Sequence, residues 1–411
     1  MYLTDKRPHA YHRKKLIRQL VDDGYQLAKA PKLSKEKPYA LFNGPRIDDW
    51  LFLIDLKRFH AGEALEKLED FKVMVDHTGL RAFHYYWPES PAPATAVTYP
   101  LAEARERFYD YLLCGYEFKY GSKRRPQYGI CQLIDYKNLA SNTLRVIEAW
   151  PGCQPNGFAW DLIITINSMP LVAVVFGDKG KLLATAEKAL EEVRADKYFA
   201  TFLQMLIVTD GHTSYMGSPD DDAKAFTRWD NLHDDILSPT QLIKMIYYGI
   251  RPGNTEDGFV TFVADYQQKE LVNKINLFLQ QNMVEKPSDA SQCLGYVVAT
   301  ASENNLRHPS PFGWMGAVRQ MVLEQNILLC PSEVLVDLNE NEEIDDDTRY
   351  AFLPETMTLD ECRQLMQERP NVRFVRFIDR PSGPYLVDPQ LFGQLICKFD
   401  QPIETLEYEA E

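Results

Sequence analysis

The chain has 411 residues, 45% of them hydrophobic, 25% charged and 12% aromatic, an ordinary globular composition and enough length for two cores. The formal net charge of −14 excludes a protein whose whole surface grips nucleic acid, so any DNA contact is expected to be local. The seven cysteines form no Cys-x-x-Cys pair, which argues against a disulfide framework or a zinc site; no apolar run reaches the length of a membrane span, and the opening MYLTDKRPHAYHRKK has no apolar signal core, so a cytoplasmic protein without membrane partners is expected.

Residues 11–26 (YHRKKLIRQLVDDGYQ) put Leu16, Ile17, Leu20 and Val21 on one helical face and end on Gly24, a helix-stop signal. In 46–59 (RIDDWLFLIDLKRF), Asp49, Asp55 and Lys57 imitate an Asp…Asp-x-Lys nuclease set, although a solvated element edge explains so common a tripeptide. The proline-rich 85–100 reads as a loop. A helix is predicted over 101–118, with Phe108, Leu112 and Leu113 inward and Gly115 closing it. KYGSKRRPQ (119–127) reads as a basic turn, and 128–150 as two strands around an Asn-rich turn in which Asp135 is a turn residue.

From Phe158 to Asp178, two apolar runs, Leu162–Ile166 and Leu171–Phe176, flank Asn167, Ser168 and Pro170. They predict a hairpin of two buried strands, opened by Asp161. A helix follows over 181–199. Asp210-Gly211 marks a second hairpin, with Phe226 and Trp229 as packing residues beyond it. The first domain is expected to end near 235. Residues 236–286 read as a connector. A strand in 293–300 leads to Thr300 and then Ser302, Glu303, Asn304, Asn305 and Leu306. Strands are predicted again in 326–340 and 373–383, around a solvated acidic loop at 340–347.

The order of these segments resembles the type I restriction enzyme R (motor) subunit, over its N-terminal nuclease domain and the start of its motor domain. That resemblance implies an α/β fold: a restriction-endonuclease-like, PD-(D/E)xK-type mixed sheet with flanking helices over 1–235, a helical connector over 236–286, and a partial RecA-like lobe over 287–411, with no second motor lobe. In the family an Asp is followed by an Asn-Gly-x-Pro-Leu turn and a strand ending in Glu-x-Lys. Asp161, Asn167, Pro170 and Leu171 keep that frame, while the Glu place falls on Val175 and the Lys place on Gly177. A Gln-x-x-x-Tyr pair falls on Glu192 and Asp196, and a Tyr-His-Gln on Tyr266, Gln267 and Gln268. The phosphate-loop Lys falls on Asn305 and its hydroxyl on Leu306, with Glu303 placed to repel phosphate.

The resemblance therefore implies a catalytically inactive motor-subunit-like protein that serves as a DNA- or partner-binding component of a bacterial or phage defence system, with no cofactor. Weak, non-specific DNA binding is expected at Lys119, Lys123, Arg124, Arg125, Lys179 and Lys181, and a protein partner besides. One alternative is a metal-dependent endonuclease in which Asp178 and Lys181 replace the lost pair, the only case that would use Mg²⁺. Strand alternation opposes it, because Ala173, Val175 and Gly177 share the face that Asp178 leaves, unless a bulge at Gly177 or Gly180 corrects the parity. Another is an anti-restriction decoy of the motor subunit.

Overall fold

A computed structural model describes residues 9–29, 101–122, 125–131, 133–151, 158–167, 169–195, 197–256, 258–281, 294–307, 313–329, 334–340, 342–354, 356–380, 393–399 and 401–406. The chain forms two compact units, Met1–Val263 with Leu406–Glu411, and Ala264–Thr405.

The first unit opens with α1 (Ala10–Asp22) and β1 (Gln26–Lys29). After α2 (Leu101–Cys114) come β2 (Tyr116–Ser122) and β3 (Arg125–Cys131), paired antiparallel as a separate ribbon. The segment expected to be a basic turn is therefore largely strand: pairing runs as far as Ser122 opposite Arg125. Its Gly, Pro and charged residues suit a two-stranded ribbon as well as a loop. The next strands are β4 (Leu144–Pro151), β5 (Ala159–Ile166) and β6 (Met169–Phe176). Helices α3 (Leu182–Ala195) and α4 (Lys197–Phe202) lead to β7 (Met205–Thr209), β8 (Ser214–Gly217) and β9 (Thr227–Trp229). The resulting seven-stranded sheet has the order β1-β4-β5-β6-β7-β8-β9 and is mixed, with β1–β4 and β6–β7 parallel and the remaining pairs antiparallel.

Strand β6 lies in the middle of this sheet, and α3 packs against it. All eight of its positions are buried, which is why MPLVAVVF shows no polar alternation. The predicted β5–β6 hairpin is present, and its turn is held from inside. Asn167 is buried with φ 49, a left-handed conformation that Asn tolerates better than most residues. Its carboxamide oxygen accepts from Thr143 N at 2.8 Å, and its Nδ2 donates to Leu133 O at 2.8 Å and to Asn142 Oδ1 at 3.0 Å. Asp135 is the predicted turn residue: one carboxylate oxygen accepts from Lys137 N at 3.0 Å and Asn138 N at 2.7 Å.

The first unit does not stop near 235. It continues through α5 (Pro239–Lys244) and the hairpin β10 (Ile250–Thr255) and β11 (Gly258–Val263). Two bonds tie that hairpin in: buried Tyr109 OH donates to Ile250 O at 3.0 Å, and Thr261 N donates to Asp220 Oδ2 at 2.7 Å. The segment expected to be a connector is thus shared between the units.

The second unit begins with α6 (Tyr266–Gln281), capped by Asp265, whose Oδ1 accepts from Gln268 N at 2.9 Å while Oδ2 accepts from buried Trp314 Nε1 at 2.6 Å. Then come β12 (Leu294–Ala299), α7 (Ala301–Arg307), α8 (Gly313–Leu329), β13 (Val334–Asp337), β14 (Thr348–Phe352), α9 (Leu359–Glu368), β15 (Arg373–Asp379) and β16 (Gln394–Lys398). The five strands form an all-parallel sheet in the order β13-β14-β15-β12-β16, the layout expected when helices alternate with strands. Helix α9 starts on a reciprocal cap between Thr358 and Glu361. Among the described residues, no helix is long and apolar enough to cross a membrane.

Candidate functional site

The register Leu162↔Val174, extended by one residue, sets Asp161 opposite Val175, so the two side chains share a face. This is the register expected from the sequence frame, and the side chain at 175 is apolar. Asp161 is fully engaged. Its Oδ2 accepts from Phe176 N at 2.8 Å, and its Oδ1 accepts from Arg13 Nη1 at 2.8 Å. Arg13 is wholly buried, and its Nε donates to Glu148 Oε1 on β4 at 3.3 Å. A guanidinium from α1 therefore lies between two carboxylates from neighbouring strands.

Arg13 reaches this place because it extends the apolar stripe of α1. Arg13, Leu16, Ile17 and Leu20 are all buried, at helical spacings of three, four and seven. Val21, expected on the inner face, is 40% exposed instead. The signal available in the sequence was a basic residue in register with an apolar stripe; the strand residue Glu148 carried none.

Position 177, the expected Lys place, is crowded. A Cβ added at Gly177 would run into Thr185 Oγ1 and Leu182 of α3, and Gly177 N donates to Thr209 O at 2.9 Å. Asp178 and Lys181 lie beyond the end of β6. They pair with each other at 3.4 Å, with exposures of 63% and 72%. The second Asp178 oxygen faces His9 Nε2 at 3.3 Å. Between Gly177 and Lys181 the chain makes a turn closed by Lys181 N to Asp178 O at 3.0 Å; the one irregularity in β5–β6 pairing falls at Ile164/Thr165.

A divalent cation does not fit these donors: the oxygens of Asp161 are taken by Arg13 and a backbone N–H, and Val175 offers none. Among the described residues, no three His, Cys, Asp or Glu groups are placed to hold a metal ion. The nearby His12 ring lies edge-on to His212, with centroids 4.8 Å apart. Burial, with His212 and His9 close by, holds His12 below its usual pKa. Glu192 is buried on α3; Asp196 lies outside the described residues, as do Asp49, Asp55 and Lys57 of the other acid–lysine set. Of the expected DNA contacts, Lys179, Lys181 and Arg125 are exposed. Lys119 falls on β2, and Lys123 and Arg124 lie outside the described residues.

In the second unit, Ser302 to Leu306 belong to α7 rather than to an open loop. Ser302 donates from both its backbone N and its hydroxyl to Asp379, at the end of the adjacent β15. Asn304 is buried; its Oδ1 accepts from Ile403 N at 3.0 Å and its Nδ2 donates to Gln267 Oε1 at 3.3 Å. Asn305 Oδ1 accepts from Trp314 N. These side chains are committed to internal bonds.

A family model described as "Type I restriction enzyme R protein N terminus" matches residues 63–225. That region resembles the N-terminal part of the R subunit and takes in the sheet from β4 to β8. The match starts at residue 63, so residues 63–100 belong to the likeness. No curated protein matches the chain.

Proposed function

We propose that this is a restriction-system-related protein whose nuclease-like domain does not cut and whose role is to bind DNA or a protein partner within a bacterial or phage defence system. The observation that carries this reading is Arg13, a buried cation held by Asp161 and Glu148 where cleavage chemistry would need a metal. Val175 and the crowded Gly177 support it from the strand side. The mixed sheet suits a restriction-endonuclease-like fold, and the parallel second sheet suits a partial motor-like lobe. In that lobe Ser302, Asn304 and Asn305 are engaged internally, so neither ATP hydrolysis nor translocation is proposed.

The test is incubation of purified protein with plasmid and linear DNA in Mg²⁺ or Mn²⁺. Both substrates are expected to stay intact. Cleavage abolished by Asp178→Ala or Lys181→Ala would replace this reading with the relocated site, and cleavage lost on Asp161→Ala would show that Arg13 yields its place to metal.

A further inference from the structure

In a chain of net charge −14, the stretch from His9 to Val21 contains Arg13, Lys14, Lys15 and Arg18 and not one carboxylate. Helix α1 sorts these cations by direction. Arg13 is buried against the sheet, while Lys14, Lys15 and Arg18 are exposed, and among the described residues no ion pair holds any of the three. Tyr11, 75% exposed, stands beside them. Asp22, four residues beyond Arg18 at the end of the same helix, is the exposed acid of this face; the other acids near it are engaged. Asp178 bonds His9 and Lys181, Asp210 accepts from His212 N and Thr213 N, and Asp23 pairs with His233 at 2.7 Å. The contact of His9 with Asp178 brings the Lys179–Lys181 turn to the start of the same helix.

We propose that the outward face of α1, Lys14, Lys15 and Arg18, continued by Lys179 and Lys181, is the surface that receives the phosphate backbone of duplex DNA. This rests on the DNA-binding reading above and moves the seat of binding from the β2–β3 ribbon to α1. Phosphate contacts need placed cations and no base readout. The buried Arg13 fixes α1 on the sheet, so the three cations are presented by an anchored helix rather than a loose arm. Because the rest of the chain is acidic, the contact is local, sequence-insensitive and driven by counterion release.

The test measures anisotropy of a labelled mixed-sequence duplex with the full chain across a salt series. The wild-type protein is expected to bind at low salt, with log affinity falling linearly in log salt. Replacing Lys14→Gln, Lys15→Gln and Arg18→Gln together is expected to weaken binding by about tenfold or more and to reduce the slope by about 2–3, close to 0.9 per lost phosphate contact. The melting temperature should not move, because all three side chains are solvated, and Arg363→Gln on the second unit should change nothing. Wild-type binding that survives the triple change with the same slope would overturn this surface and leave the DNA reading standing. No wild-type binding even at the lowest salt would remove both. Poly-glutamate bound as tightly as the duplex, and released by the same triple change, would overturn DNA as the occupant in favour of an acidic protein.

Discussion

Arg13 is held by carboxylates 135 and 148 residues further along the chain. A buried ion pair contributes little net stability when whole, but losing one partner leaves the other charge uncompensated. Arg13→Ala is therefore expected to destabilise the first unit by about 3–5 kcal/mol, read from denaturant melts, whereas Arg13→Met combined with Asp161→Asn and Glu148→Gln should recover much of the loss. A second residue sets the alkaline limb of stability. Burial, its largest cause, pushes the Asp221 carboxyl up to about 8. Its folded value thus lies above its unfolded value, so its favourable contribution is complete below about pH 4 and is lost as pH rises through about 8. Melting temperatures should fall as pH rises from about 6 to about 8, and Asp221→Asn should flatten that limb. At this scale the sequence showed Asp161, Val175 and Gly177 because strand alternation fixes which residues share a face. It concealed Arg13, since hydrophobic periodicity treats a charged residue as outward, and its partners come from strands far along the chain.

At the scale of elements, the β5–β6 hairpin was legible from two apolar runs and an Asn-containing turn, and the turn explains why asparagine stands there. Asn167→Gly keeps the left-handed backbone and loses the three side-chain bonds; Asn167→Ala loses the bonds and adds about 1–2 kcal/mol of backbone strain. Alanine is expected to be the worse replacement by that margin in urea melts. Helix α1 rests against the Asp210–Thr213 turn, where a Cβ on Gly211 would strike the His12 ring. Since the His12 pKa is lowered, the unfolded chain takes up its proton first, and stability is lost as pH falls through and below about 6.5. His12→Gln should remove that acid limb. The β2–β3 ribbon was misread because Gly, Pro and clustered charge mark ribbons and loops alike.

Over the whole chain, the first unit closes at Val263 rather than near 235 because β10–β11 supplies bonding partners for Tyr109 and Asp220. Pro252, Gly253, Asn254 and Gly258 gave that hairpin the look of a linker. A fragment ending at 235 is expected to melt well below one ending at 263, by calorimetry. The second unit should show no ATP-induced rise in melting temperature, since stabilisation needs occupancy of the native state; tight Mg²⁺-dependent binding in calorimetry would show that α7 opens into a phosphate loop. The closeness of Thr185 to position 177 limits what can be placed there. An acid placed at 175 alone would add a charge beside a guanidinium already shared by two, and a lysine placed at 177 alone would meet Thr185 of α3. On the proposed reading, a single replacement at 175 or at 177 is therefore expected to leave DNA uncut, and only changes made together at 175, 177 and 185 would open this site to the chemistry.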